Sequence, residues 1–242
     1  PPYNYYKLYD NLNYKKSRAS REAVGQLLLL SNILYYLNDA SRGNFPFALY
    51  RKNKWSIEHI HPQNPRGFKD DKERQLWLED VASMLKEKEI GQDGTEYTEL
   101  IMTINEAIED KNLKLSKEDL RAIEELLNID AIDNLALLDG KTNSHFSNST
   151  FREKQQKMIA IGILRQLNPA NENTKKITAN AIKTFIPIGT KNVFLKVHSK
   201  NRKSVATNFW SSEDRKAYWE FLQTQLRDFF TLEAEQDKND ES

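Results

Sequence analysis

The chain has 242 residues, 38% of them hydrophobic, and a formal net charge of +1, which suits one large domain or two small ones. It has no cysteine, so disulfides and thiolate zinc sites are excluded and any metal must bind oxygen or nitrogen ligands. We expect neither a membrane span nor a signal peptide, and the lack of cysteine fits a cytoplasmic location. Because the sequence starts with Pro1 rather than Met, we expect it to be a piece of a longer protein.

The first half of the chain is predicted to be helical around one hairpin. Helical spacing of apolar residues predicts a long helix over 20–40. Two β-like runs, residues 47–50 and 55–59, flank a polar stretch and predict a hairpin. Three further helices are expected over 70–88, 95–110 and from Ser116 to about Leu127, where Ser116 and Asp119 form an N-terminal capping pattern.

The second half begins with a short apolar run at 133–139, which predicts a buried strand, followed by a polar loop at 140–148. Thr150 is predicted to cap the helix that comes next. The remaining elements are expected at 151–166 (helix), 174–184 (helix), 193–197 (strand) and from Ser211 or Ser212 to about Phe230 (helix).

Charge is divided unevenly along the chain. Residues 70–130 carry eighteen acidic and eight basic side chains, whereas residues 173–212 carry eight basic and no acidic ones. A basic block of that length, with aromatic residues in it, is typical of a surface that binds a polyanion. A solvated lysine-rich surface is the simpler alternative.

Two short motifs carry the chemistry. The first is Glu58-His59-Ile60-His61-Pro62, an acid beside a histidine at the end of a predicted strand. The second runs from Asn134 through a leucine-rich strand to Asn143. Carboxylate and amide oxygens suit a hard divalent cation, and a neutral imidazole can take a proton from water near pH 7. With the three acidic helices set aside, the order is strand, strand, loop, helix. We therefore expect His59 and Asn143 to lie close together.

Glu58-His59-Ile60-x-Pro62 resembles the Asp/Glu-His-Ile-x-Pro segment of HNH (ββα-metal) nucleases, and Asn134-Leu135 followed by Asn143 resembles their second half. The pattern as a whole is most similar to the C-terminal nuclease domain of GmrSD-type, modification-dependent (type IV) restriction enzymes. In that family a ParB-like NTPase domain precedes the nuclease domain. The resemblance covers most of the chain, from the first helix onward.

The resemblance implies a role for each matched residue. His59 would activate water, Glu58 and Asn143 would bind Mg²⁺ or Mn²⁺, and Asn134 would orient the loop or His59. His145 and His61 are alternative metal ligands, although His61 is more simply a polar neighbour. The expected phosphate contacts are Asn148, Lys154, Lys191, Lys196, Lys200, Arg202 and Lys203.

The predicted fold is α+β and mostly helical, a ββα-metal (HNH) core with a helical insertion and surrounding helices. Its expected parts are an N-terminal helical segment (1–46), the nuclease core (47–170) with an insertion at about 68–128, and a basic C-terminal subdomain (171–242). The predicted function is a metal-dependent DNA endonuclease of a type IV restriction or anti-phage system, acting on modified or foreign duplex DNA, with a homodimer as one possible assembly. Two alternatives stay open, a non-catalytic nucleic-acid-binding or interaction domain with a relic ββα unit, and an RNase or colicin-like nuclease.

Overall fold

The computed structural model describes residues 9–39, 43–52, 54–62, 70–91, 97–146, 149–166, 186–199 and 210–239. The fold is α+β and mostly helical, with one two-stranded sheet in the part described, as predicted. Its helices are α1 (Arg18–Leu37), α2 (Phe47–Lys52), α3 (Asp71–Gly91), α4 (Thr98–Glu109), α5 (Lys117–Leu126), α6 (Gly140–Phe146), α7 (Phe151–Gln166), α8 (Ile188–Phe194) and α9 (Ser212–Asn239). Its strands are β1 (Trp55–His59) and β2 (Leu135–Asp139).

The two strands pair antiparallel, with Glu58 opposite Ala136 and His59 opposite Leu135. This pairing confirms that the two sequence motifs meet in one sheet. All five residues of β2 are buried. On the edge of β2 that faces away from β1, the Thr190 hydroxyl donates to the Leu137 carbonyl at 2.6 Å. This side chain replaces a hydrogen bond that a third strand would otherwise make.

The helices between the strands form an insertion with a hydrophobic core of its own. Helix α3 contributes Trp77, Val81 and Leu85 to this core, α4 contributes Ile104 and α5 contributes Ile123, each nearly inaccessible to solvent. The predicted capping box starts α5, because Ser116 accepts a hydrogen bond from the Asp119 backbone while the Asp119 side chain accepts from the Ser116 backbone. The insertion therefore does not depend on the sheet to bury its apolar faces.

The chain leaves the insertion through a tightly held turn. Asn128 has φ 43°, the left-handed conformation in which asparagine often ends a helix. Its side-chain oxygen accepts from Asn13 at 3.2 Å. Arg215 of α9 donates to the carbonyls of Leu127 and Asn128 and to the Asp133 carboxylate, with its Nε 3.0 Å from Asp133 Oδ1. Two distant parts of the chain thus fix the return to β2.

Helices α1, α8 and α9 pack around the sheet and share its hydrophobic core. Gly189 lies so near α1 that a Cβ there would be 2.7 Å from Asn32 Oδ1, and its N–H donates to that oxygen at 2.8 Å. The indole of Trp210, 1% exposed, donates to the Asp133 carbonyl at 3.1 Å. Ser211 then caps α9 by accepting from the Asp214 backbone.

Three local predictions are wrong. Residues 47–50 form α2 rather than a hairpin strand, because β1 takes its partner from the distant β2. Residues 193–197 complete α8 and a turn rather than a strand. The expected loop after β2 begins with the short helix α6. The helix predicted at 174–184 lies outside the described residues. Among the described helices, none combines the length and the apolarity that a membrane crossing requires.

Arg215→Met should lower the free energy of unfolding by about 3–5 kcal/mol, because it leaves the buried Asp133 carboxylate and two carbonyls without their cation. Denaturant titration measures this loss. Lys216→Met, the exposed next position of α9, is the control and should stay within about 0.5 kcal/mol. Equal stability of both variants would mean that Arg215 does not hold the insertion's exit.

Candidate active site on the two-stranded sheet

Glu58 of β1 and Lys154 of α7 form a buried ion pair. Lys154 Nζ lies 2.7 Å from Glu58 Oε1 and 2.6 Å from the His59 carbonyl oxygen, and the two side chains are 1% and 7% exposed. Burial raises the pKa of Glu58, and the nearby positive charges, chiefly Lys154, offset only part of that rise. Burial lowers the pKa of Lys154, against the opposing pull of Glu58. The ammonium therefore ties the end of β1 to α7.

His59 lies in a different environment, because successive side chains of a strand point to opposite faces. Its Nε2 is 2.8 Å from Asp130 Oδ1, and its side chain is 13% exposed. The Tyr14 ring meets the imidazole edge-on, with ring centroids 5.7 Å apart. Burial raises the pKa of Asp130, but hydrogen bonds and charges from His59 and Lys15 outweigh burial and hold that pKa below its usual value. Asp130 is thus an ionised acceptor for the His59 ring.

Asn143 reaches the Glu58 face of β1. Its Nδ2 donates to Ser56 Oγ at 2.8 Å, and Ser56 shares a face with Glu58 because the two are two positions apart. His59 lies three residues beyond Ser56, about 10 Å further along the strand, and its side chain is on the other face. The structure thus brings Asn143 to the same strand and face as Glu58, and directs His59 away from both.

Asn134 extends the sheet beyond the end of β1. Its backbone carbonyl accepts from Ile60 at 2.8 Å, its Oδ1 accepts from the His61 backbone at 2.9 Å, and its Nδ2 donates to the carbonyls of His61 and Ile129. The side chain is fully buried. Asn134 therefore orients the segment after His59 rather than the imidazole itself, which is one of the two alternatives that the sequence left open.

His61 is buried beside this bridge. Its ring is 1% exposed, and neither ring nitrogen has a hydrogen-bond partner within the described part of the chain. Burial lowers the pKa of His61 to about 3, with further lowering by Lys154, Arg215 and His59, so the ring is uncharged at neutral pH. As a metal ligand His61 stays a prediction.

The predicted phosphate-binding residues fall into three groups. Lys154 is buried against Glu58, so its ammonium is not presented to solvent and does not match the role expected of it. Lys196 Nζ is 2.6 Å from Asp214 Oδ2 and lies over the Phe151 ring. Lys191, in contrast, is exposed on α8. Asn148, Lys200, Arg202, Lys203 and the side chain of His145 lie outside the described residues.

The chain is similar to a known protein family. Residues 6–184 match the family described as GmrSD restriction endonucleases, C-terminal domain. The chain belongs to this family. Searches of curated proteins and of solved structures gave no match. The GmrSD chain is accordingly a nuclease domain of a restriction endonuclease, and DNA is its class of substrate.

Sequence reasoning missed the partners of the two motif residues. Asp130 ends an acidic block, and nothing in that pattern distinguishes it from the solvated acids before it. Lys154 stands in Phe151-Arg152-Glu153-Lys154, a polar stretch that reads as an exposed helix surface. Both are long-range contacts of β1, so only the folded chain of this GmrSD domain reveals them.

Lys154→Met should reduce the free energy of unfolding by about 3–5 kcal/mol, since it strands the buried Glu58 carboxylate without its cation. The double variant Glu58→Gln/Lys154→Met should recover a large part of that loss, because both charges are then gone. Urea unfolding curves give both values. Lys157→Met, one turn along α7, is the matched control and should cost about 1 kcal/mol or less. A double variant no more stable than Lys154→Met would contradict the pairing.

Proposed function

We propose that this GmrSD domain hydrolyses DNA phosphodiester bonds with a water activated by His59, as an HNH-type endonuclease. The observation that supports this proposal is the His59–Asp130 hydrogen bond next to the Glu-His-Ile-x-Pro motif. A base oriented by an acid is a recurring arrangement in enzymes that activate a nucleophile.

The proton balance follows from the hydrogen bond. An ionised carboxylate only accepts, so Nε2 carries the hydrogen that faces Asp130 and Nδ1 keeps the lone pair. His59 takes one proton from water as the water oxygen bonds to phosphorus. The bond from phosphorus to the 3′ oxygen breaks, and the leaving oxygen takes a proton from solvent.

We further propose Mg²⁺ or Mn²⁺ as the cofactor, held by Glu58 and Asn143 with solvent completing the shell. The support for these donors is that Asn143 contacts Ser56 on the Glu58 face of β1 and that carboxylate and amide oxygens suit a hard cation, although no group of three described His, Asp and Glu side chains is placed to hold a metal ion. The Glu58 carboxylate already binds a cation, Lys154, so a metal must compete with that ammonium. When bound, the ion would neutralise charge that develops on the phosphoryl group.

The wider context is also part of this proposal. Modified or foreign duplex DNA would be the substrate, and exposed Lys191 with the basic residues up to Lys203 would contact its backbone. A ParB-like NTPase domain would precede the nuclease domain in a cytoplasmic protein. One HNH site cuts one strand, so a homodimer or two successive visits would complete a double-strand break.

A second candidate is a DNA-binding or interaction domain whose ββα unit no longer cuts. The Glu58–Lys154 pair favours it, because the carboxylate expected to bind metal is buried and already paired with an ammonium group. A plasmid-nicking assay with Mg²⁺ or Mn²⁺, with and without EDTA, separates the two. EDTA-sensitive nicking would eliminate the non-catalytic reading.

His59→Ala should reduce nicking about 10²–10⁴-fold, the usual contribution of a general base, while DNA affinity stays close to that of the wild type. Single-turnover nicking and a mobility-shift titration give the two quantities. His198→Gln is the matched control, since His198 lies by Tyr35 and Phe221 in a different part of the fold. Equal losses of binding and cutting in His59→Ala would count against the assigned role.

Glu58→Gln and Asn143→Ala should each weaken Mn²⁺ binding by at least about tenfold, measured by titration calorimetry without DNA. Lys154→Met should strengthen it, because the competing ammonium is removed. Glu118→Gln, an exposed acid on α5, is the control for loss of one negative charge. Unchanged Mn²⁺ affinity in both ligand variants would place the ion elsewhere or nowhere on this chain.

A further inference from the structure

Asp130 is a buried carboxylate whose two oxygens serve different partners. Oδ1 lies 2.8 Å from His59 Nε2, and Oδ2 lies 3.2 Å from Lys15 Nζ. The residue is 8% exposed, and it is 71 positions from His59 in the sequence. Burying a carboxylate costs free energy unless hydrogen bonds compensate, so the bond to His59 contributes to keeping Asp130 charged in this position.

The backbone around Asp130 is held as firmly as its side chain. Tyr14 N–H donates to the Asp130 carbonyl at 2.8 Å, and Asn13 forms an isolated β-bridge with Ala131. The preceding Asn128 is in the left-handed conformation and bonded to Asn13. The carboxylate is therefore presented to β1 by a structured turn, which is what fixing the angle of a neighbouring ring requires.

The imidazole of His59 is restrained from two directions. Asp130 fixes one ring nitrogen, and the Tyr14 ring stands perpendicular to the imidazole at an interplanar angle of 90°. A ring held this way keeps one tautomer and one orientation, with Nδ1 as the nitrogen that has a free lone pair.

We propose that Asp130 is the positioning residue of His59, fixing its orientation and its Nε2–H tautomer, and that the helical insertion serves the active site by delivering this carboxylate on its return to β2. The proposal rests on the proposed role of His59 as the base. Asp130 touches neither DNA nor the attacking water in this role; it acts through the imidazole.

The first test reads the wild-type chain and needs no substitution at Asp130. Nitrogen-15 NMR of the uniformly labelled wild-type chain at pH 8 reports the state of each imidazole, and with four histidines the His59 signal is assigned by its loss in His59→Gln. The expected result is the Nε2–H tautomer. An Nδ1–H tautomer, or a ring protonated on both nitrogens, would overturn the proposal even if every Asp130 variant failed to fold.

The second test compares Asp130→Ala, Asp130→Asn and Asp130→Glu by nicking kinetics. Alanine removes the acceptor, and asparagine, of similar volume, can donate to Nε2 and so stabilise the wrong tautomer. Both should lower kcat about 10–100-fold, with KM and DNA affinity close to wild type. Glutamate keeps the carboxylate and should restore part of the rate. Asp110→Asn, the same change at an exposed position of the insertion, should leave the kinetics unchanged.

The outcomes distinguish the two levels of the proposal. If His59→Ala cuts like the wild type, the proposed base is wrong. If His59→Ala is inactive while Asp130→Ala and Asp130→Asn keep the wild-type kcat and tautomer, only the positioning role falls. A loss confined to thermal stability, with kcat unchanged at a permissive temperature, would likewise reduce Asp130 to a structural residue.

Discussion

The antiparallel pairing of β1 with β2 is the constraint on which the other contacts depend. It joins segments separated by a whole helical subdomain, and Asn134 prolongs it by binding the backbone of His61, 73 positions away. The entropy cost of closing such a loop rises only slowly with its length. The described helices of the inserted segment share a hydrophobic core, so they form a folded unit rather than an open loop.

Strand geometry then separates the two motif residues. Glu58 faces α7 and Lys154, whereas His59 faces the insertion's exit and Tyr14. Lys154 contacts both positions, through the carboxylate of Glu58 and the backbone carbonyl of His59. The metal proposed at Glu58 and the base proposed at His59 would therefore act from opposite faces at the end of β1, where the Lys154 ammonium lies between the Glu58 carboxylate and the His59 carbonyl.

Local signals in the sequence predicted most of the longer helices. Apolar spacing predicted α1 and α3, the Ser116 capping box and the Thr150 cap located the starts of α5 and α7, and the motif pair predicted that β1 and β2 meet. The sequence failed where the deciding contact is distant. The run at 47–50 has strand-forming residues, yet the only described partner of β1 is β2, so the run becomes α2.

The same distinction between local signals and distant contacts applies to the candidate site. The sequence alone singles out Glu58, His59 and Asn143 as candidates, since they lie in short motifs whose side chains suit the chemistry, and their roles stay predictions. Their neighbours could not, because Lys154 and Asp130 are ordinary charged residues until folding removes them from water. Burial changes what such a residue does, and a sequence window around Lys154 or Asp130 contains no measure of it.

The insertion has a part whose surface can vary and a part that is held by the rest of the fold, and the boundary between them lies near Leu127. Before it, α3 to α5 bury their apolar faces against one another, so their surface residues and the exposed turn at 110–114 can vary without disturbing the sheet. After it, Asn128 and Asp130 are bound by the segment around Asn13 and by Arg215. A graft that exchanged this subdomain between related nucleases would therefore have to stop short of Asn128, whereas a chain break in the exposed turn would leave both edges of the site in place.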